Sequence, residues 1–408
     1  MIGRPPPASP QFDSEKSAAR QLVRQWRWWA AAGVAALAAA ALALRPAFGS
    51  ATLLWFVVNL PVLGGVLALV RRWLPRNRRS PDGLLLAEMG AGNQATILRG
   101  ILLAQLPGYL LFPWPAGWQA WMPALTFSLS LTADYLDGYL ARRADRVTAL
   151  GEALDIEFDG LGLLAATALA VHYGQLPLVY FATVGCARYL YLAAGWLASR
   201  AGRRLAPLPP SAARRGLAGV TMEVAAAALW PILPAVMMTL AAAIVAVPFL
   251  AGFGRDAAIH LGFVDPASKG YQRLRRALVG LATVVLPPVL RAAILLLLGP
   301  LWVAAAKAFP ETVATVAAAG LQAPGAFTAI VLLVGLVSLI LIGLGFAGRT
   351  GAAAIVVVYG LGLSLVAVDP RSLAGWGCAF AIYIFGTGPA SLWQPERSLY
   401  LGKAGERR

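Results

Sequence analysis

Histidine and cysteine are almost absent from this chain: among 408 residues there are two of each, His172, His260, Cys186 and Cys378. The cysteines share no paired spacing and no CxxC, which excludes a disulfide framework and a cysteine-based zinc site. Both fall in apolar runs and read as small core side chains. The histidines, one read at a helix end and one in a loop, have no spacing that suggests a metal pair and read as structural. Charge is scarce as well, with 13% charged against 59% hydrophobic residues. A soluble fold cannot cover that much apolar surface. Acidic residues are scarcest of all, 18 against 34 basic ones, for a formal net charge of +16. That excess could suggest nucleic-acid binding, but the Lys and Arg sit in short loops between apolar runs. Such a pattern belongs to a membrane protein with basic loops on one side.

The runs of Ala, Leu, Val and Gly predict an all-α, polytopic integral membrane protein with about twelve transmembrane helices. The polar, Pro-rich start is followed by Trp26, Trp28 and Trp29, and only then by an apolar run. This is late and long for a cleaved signal peptide, and it reads as a retained helix with an interfacial tryptophan belt. Two spans are expected near 29–45 and 51–70, then a basic hinge with Arg71, Arg72, Arg76, Arg78 and Arg79, then a short amphipathic surface helix over Leu84–Met89. Six spans follow near 97–113, 118–137, 154–173, 176–198, 215–231 and 234–252. A basic stretch with Arg255, Lys269, Arg273, Arg275 and Arg276 separates them from four last spans between about 280 and 390. Within 277–307, Pro287, Pro288 and Arg291 predict either one kinked helix or two half-helices. The expected divisions are 1–80, 81–255, a basic linker 256–279, and 280–408. With this count the basic loops 71–79, 142–146, 199–215 and 253–276 share one face, which places both termini in the cytoplasm.

Against this background Asp134, Asp137, Gly138, Ala141, Arg142, Gly151, Asp155 and Asp159 stand out. Carboxylates at a membrane are costly and are kept where they bind something positive. Asp134 and Asp137 are three apart near the cytoplasmic end of one predicted helix, and Asp155 and Asp159 are four apart at the start of the next, so each pair shares a face. The turn between them folds the helices antiparallel and unites the pairs. Four such carboxylates repel unless cations are bound. Oxygen ligands without His or Cys favour Mg2+ or Mn2+. Two ions there would suit phosphoryl chemistry, clamping phosphate oxygens in an in-line displacement. Gly138 and Ala141 leave room for a ligand near the backbone, and Arg142 offsets phosphate charge.

The stretch reads D-x2-D-G-x2-A-R-x8-G-x3-D-x3-D and resembles the signature of the CDP-alcohol phosphatidyltransferase family. The likeness covers roughly residues 84–253, with a six-helix catalytic core and an Asn93, Thr96, Arg99 series similar to the family's N-x-x-T-x-x-R opening. It implies displacement of CMP from a CDP-linked lipid, usually CDP-diacylglycerol, by the hydroxyl of a small alcohol. By matching position, Asp134, Asp137 and Asp155 would be metal ligands, and Asp159 both a metal ligand and the general base. Asn93, Thr96, Gly138, Ala141, Arg142 and Gly151 would form the nucleotide site. On the residues alone, Asn93 and Thr96 could equally cap a helix and Arg99 could snorkel to the headgroups. Asp145, Glu152 and Glu157 read as solvated or as standing behind the ligands. The resemblance also implies a bacterial inner-membrane enzyme and a homodimer through the core.

For the acceptor, Arg188 inside an apolar span reads as facing a polar cavity and matches a basic position in members that use phosphorylated acceptors. Arg200, Arg203, Arg204, Arg214 and Arg215 follow on the same side, and either line that cavity or simply obey the inside rule. A polyol phosphate such as glycerol 3-phosphate or an inositol phosphate would suit it. Glu223 defines no role alone. Residues 280–408 resemble a DoxX-like four-helix membrane domain through Gly343–Ala354 (GLGFAGRTGAAA) and Gly386–Ser391 (GTGPAS). That likeness implies no particular chemistry. A rival reading is a cation-coupled transporter with the carboxylates as ion site, which the position of the Asp pairs at one membrane face and the lack of an inverted repeat disfavour.

Overall fold

The computed structural model describes residues 10–79, 83–203, 205–206, 212–318, 320, 322–365 and 369–394. Among them the chain is all-helical, with one isolated bridge, Phe346 to Trp393, and no strand. It divides into two compact units, the first ending at Gly174 and the second beginning at Gln175.

In the first unit, α1 (Pro10–Phe48) and α2 (Thr52–Trp73) form a hairpin around Gly49, whose positive φ of 57° a glycine adopts without strain. Leu22, Leu37, Trp55, Leu63 and Val70 are fully buried, and the Trp26 indole donates to the Leu67 carbonyl at 2.9 Å. Trp26 therefore ties the hairpin together, while Trp28 is exposed. Residues 84–89 are not the amphipathic helix that the sequence predicts. Their carbonyls go elsewhere: the Asn77 amide donates to Leu86 and Glu88, and Gln25 donates to Ala87 while accepting from the Met89 amide. With those acceptors taken by side chains, the helical ladder has nothing to close on.

Then come α3 (Ala91–Leu103), a 3-10 turn at Pro107–Leu111, α4 (Met122–Arg143) and α5 (Ala149–His172). The Pro107 turn is held by buried Asn59 of α2, which accepts from the Gly108 amide at 2.7 Å and donates to the Gln105 carbonyl at 3.2 Å. At α4's end, Asp145 takes φ 50°, the Arg146 amide reaches the Ala141 carbonyl at 2.9 Å and the Asp145 amide reaches Arg142 at 3.2 Å. This Schellman closure reverses the chain into α5. His172 at the end of α5 bonds the Phe112 carbonyl at 2.7 Å, a structural role.

The second unit begins with one turn, α6 (Leu178–Tyr180), a π-turn at Phe181–Gly185, and α7 (Ala187–Arg200), bent by 51° from the preceding turns. Next are α8 (Ala212–Ala227), α9 (Ala235–His260), α10 (Lys269–Gly280), α11 (Leu286–Lys307), α12 (Phe309–Ala318), α13 (Pro324–Leu344), α14 (Gly348–Leu365) and α15 (Pro370–Phe385). His260 closes α9 rather than lying in a loop, and its Nδ1 bonds the Ala206 carbonyl at 2.7 Å. The basic stretch 256–279 is mostly helical, shared between the end of α9 and α10. Lys269–Lys307 is one helical run, with a π-turn at Leu281–Val285. The missing amides of Pro287 and Pro288 are absorbed where the ladder is already widened.

The helices α11, α13, α14 and α15 pack around Ile294, Leu298, Leu339, Ile342, Ile355 and Ile382. Both glycine-rich stretches meet at one end of this bundle: the Ala347 amide donates to the Trp393 carbonyl at 2.9 Å. Arg291 of α11 donates to the Ile342, Gly343 and Ala390 carbonyls at 2.9, 2.6 and 2.6 Å. Its charge thus ties the C-terminal end of α13 to the segment that follows α15.

Among the described residues, four helical stretches are long and apolar enough to cross a membrane: Ser14–Arg76, Ala235–His260, Lys269–Lys307 and Pro324–Leu344, with the bent pair Leu178–Gly185 and Ala187–Arg200 as a fifth. These stretches do not by themselves confirm the expected count of about twelve. The helix α3 has 13 residues, about 20 Å, which is short of a hydrocarbon core of roughly 30 Å. Both α4 and α5 carry carboxylates in the turns nearest their junction, which shortens their apolar lengths.

Candidate active site

The site is built from three helices. Asn93, Thr96 and Arg99 recur every three residues on α3, so they form one stripe. That stripe faces Asp134, Asp137, Gly138 and Ala141 of α4 and Gly151, Asp155 and Asp159 of α5. The sequence predicts that the turn between α4 and α5 brings their acidic pairs together, and the structure does so, with α3 packed on both and most extensively on α4.

Small residues permit this approach. A Cβ on Gly92 would come within 2.8 Å of the Asp137 carbonyl oxygen and 2.9 Å of the Ala141 methyl, so the α3 and α4 backbones nearly touch there. Gly138 lies beneath the Arg142 guanidinium, whose Nη1 would be 2.9 Å from an added Cβ.

At the centre, Arg99 is 1% exposed, and its guanidinium bridges both acidic pairs. Nη1 contacts Asp134 Oδ1 at 2.5 Å and Asp155 Oδ1 at 2.8 Å, and Nη2 pairs with Asp159 Oδ1. Arg99 does not snorkel to the headgroups. A buried guanidinium must be paired, and its planar fork can serve several carboxylates at once. Asp137 is buried and accepts from the Thr96 hydroxyl at 2.8 Å, so Thr96 positions a carboxylate rather than capping a helix. The other three carboxylates are 35%, 43% and 45% exposed, which leaves them open to a ligand from outside.

One carboxylate oxygen from each of Asp134, Asp137 and Asp155 lies within 4.8 Å of the others. Such an all-oxygen, fully acidic set fits a hard divalent cation. Four carboxylates against one guanidinium leave the cluster net negative, so a cation is attracted there. It would compete with Arg99 for the Asp134 and Asp155 oxygens.

Asn93 serves the α5 N-terminus. It donates to Asn77 Oδ1 at 2.8 Å and accepts from the Thr148 hydroxyl at 3.0 Å, while Thr148 caps α5 by accepting from the Gly151 amide at 3.2 Å. A Cβ on Gly151 would fall 2.6 Å from Asn93 Oδ1. Gly151→Ala is therefore expected to lower stability by about 1–3 kcal/mol, read as a fall in thermal midpoint. An unchanged midpoint would contradict this tight contact.

Sequence reasoning did not find Asn77 or Thr148. A threonine three residues before Gly151 is an N-cap signal that could have found Thr148, whereas nothing in the pattern marked Asn77. Arg188 and Arg200 belong to the second unit. Arg188 is half-buried on α7, and the Arg200 guanidinium lies 4.4 Å over the Trp196 ring. Arg204 and the side chains of Arg214 and Arg215 lie outside the described residues. Glu223 of α8 accepts from the Tyr383 hydroxyl of α15 at 3.2 Å.

A strongly apolar chain, all-helical among the described residues, with an acidic cluster from two helices closed by an arginine of a third, defines a class of membrane-associated protein equipped for a divalent cation. Comparison with known proteins narrows this class: residues 89–253 match the family model described as CDP-alcohol phosphatidyltransferase. The chain is also similar to a CDP-diacylglycerol--glycerol-3-phosphate 3-phosphatidyltransferase from Pseudomonas fluorescens, 34% identical over 113 residues. That alignment covers 27% of this chain and 57% of the relative, so the chain spans little more than half of the relative's length. No solved structure matches the chain significantly.

Proposed function

We propose that this chain transfers a phosphatidyl group from CDP-diacylglycerol, or a related CDP-lipid, to the hydroxyl of a small alcohol and releases CMP. The observation that carries this reading is the gathering of Asp134, Asp137, Asp155 and Asp159 around Arg99 inside the family domain. Asp134, Asp137 and Asp155 would hold Mg2+ or Mn2+, with Asp159 able to share a second ion. When bound, the metal neutralises phosphate charge and stabilises the leaving CMP.

The chain's own residues do the rest. Asp159 accepts the proton of the acceptor hydroxyl; the freed oxygen bonds to the phosphatidyl phosphorus, and the bond from that phosphorus to CMP breaks. Arg99 orients Asp159, Asp155 and Asp134 toward one point. Gly138 leaves the backbone accessible to the nucleotide, and Arg142 offsets its phosphate charge. Asn93, Thr96, Ala141 and Gly151 hold the three helices at the spacing the nucleotide needs.

The acceptor in this proposal is a polyol phosphate, bound by Arg188 and the arginines at 200, 214 and 215. The name of the Pseudomonas relative supports glycerol 3-phosphate. The purified full-length chain, given CDP-diacylglycerol and Mg2+ or Mn2+, should release CMP with glycerol 3-phosphate or an inositol phosphate, and far more slowly with serine, inositol or choline. Turnover with the unphosphorylated alcohols alone refutes the acceptor. No CMP release with any acceptor refutes the reaction and favours a transporter.

The same reading places twelve spans in a bacterial inner membrane, with the carboxylates and both termini at the cytoplasmic side. It divides the chain at 1–80, 81–255, 256–279 and 280–408, with a six-helix core that pairs as a homodimer and a DoxX-like C-terminal domain.

A further inference from the structure

In the first unit, a pocket of about 460 Å³ opens beside α1 and the end of α2, lined by Arg20, Arg24, Arg27, Arg71, Leu74 and Leu85 among others. The three α1 arginines follow at four- and three-residue steps, so they share a face. Arg71 lies over the Trp26 ring, 5.9 Å from its centroid, which holds the end of α2 toward that face. No carboxylate lines the pocket, and among the described residues none of the four arginines forms an ion pair. All four are exposed, and their like charges, converging on one pocket, attract an anion. Guanidinium forks match phosphate oxygens in pairs.

The other wall is apolar, with Leu74 and Leu85 beside Leu22 and Val23. The pocket also sits where the polar first turns of α1 give way to its apolar run, next to the exposed Trp28, at the level of lipid headgroups. A free phosphate would have no use for the apolar wall; a phospholipid fills both. We propose that this pocket binds the headgroup of an anionic phospholipid carrying two phosphates, with the first carbons of its chains against Leu74 and Leu85. It shares no residue with the carboxylate cluster, and its charge is of the opposite sign.

The test uses the full-length protein in detergent, incubated with phosphatidylcholine, phosphatidylglycerol or cardiolipin and examined by native mass spectrometry. The parent chain should retain cardiolipin in preference to the other two. Arg20→Gln, Arg24→Gln and Arg27→Gln together should weaken retention about a hundredfold, roughly fivefold per arginine, and Arg71→Gln alone roughly fivefold. Should the triple variant fail to fold, the Arg71 variant decides. Arg275→Gln with Arg276→Gln, on the exposed face of α10, should leave retention unchanged, and excess pyrophosphate should not displace the lipid. Retention equal to the parent's in the variants, equal loss in the α10 control, or full displacement by pyrophosphate would each overturn the proposal.

Discussion

Asp159→Asn releases CMP from CDP-diacylglycerol about a thousandfold more slowly than the parent chain, the loss expected when a general base is replaced by an amide. This corresponds to about 4 kcal/mol of transition-state stabilisation. The fold should survive, because Asp159 is 45% exposed and Arg99 keeps its contacts with Asp134 and Asp155. The substitution also removes one negative charge from a crowded cluster, so the thermal midpoint should stay within a few degrees. A second readout separates base from ligand. The trio within 4.8 Å of one another does not include Asp159, so Mg2+ should still raise the midpoint of this variant. Asp134→Asn should lose both CMP release and the Mg2+ shift. Undiminished turnover by Asp159→Asn would end the assignment of the base.

Much of this site was legible in the sequence because its logic is local. Helical spacing alone puts Asp134 with Asp137 and Asp155 with Asp159, and the oxygen-only donor set follows from residue type. The helical class followed from long apolar runs in a chain poor in charge. What could not be read was tertiary. The packing of α3 on α4 depends on Gly92 meeting Ala141, a contact between residues far apart in the chain. The two-way choice left at Arg99 could be resolved only by seeing which groups surround its guanidinium.

Side chains that capture backbone carbonyls were equally invisible. Residues 84–89 have the composition of a surface helix, yet Asn77, from an earlier turn, takes two of their carbonyls. In the sequence Arg291 interrupts an apolar span, and its carbonyl partners show why a charge is tolerated inside an apolar helix. The number of spans is hard to read from the sequence for a related reason. Composition marks where a chain is apolar, whereas the helix boundaries are set by turns such as the one at Pro107, whose anchor is Asn59.

The converse of the first experiment is to remove the cation rather than a carboxylate. Arg99→Ala leaves Asp134, Asp155 and Asp159 facing one another without their common partner, and breaking a buried ion network from one side costs about 3–5 kcal/mol. The exposed edges of these carboxylates allow water to compensate in part, which places the expected loss near the lower limit, about 3 kcal/mol. In chelator the variant should therefore unfold several degrees below the parent. Added Mg2+ should then raise its midpoint more than it raises the parent's, because the ion no longer competes with a guanidinium for Asp134 and Asp155. Arg99→Lys should fall between the two, since a single ammonium cannot span three carboxylates from two helices. If Arg99→Ala were as stable as the parent in chelator, Arg99 would not be what holds α3 to α4 and α5. If Mg2+ then shifted both chains equally, ion and guanidinium would occupy separate places, and the single cation-binding centre drawn from these helices would have to be divided in two.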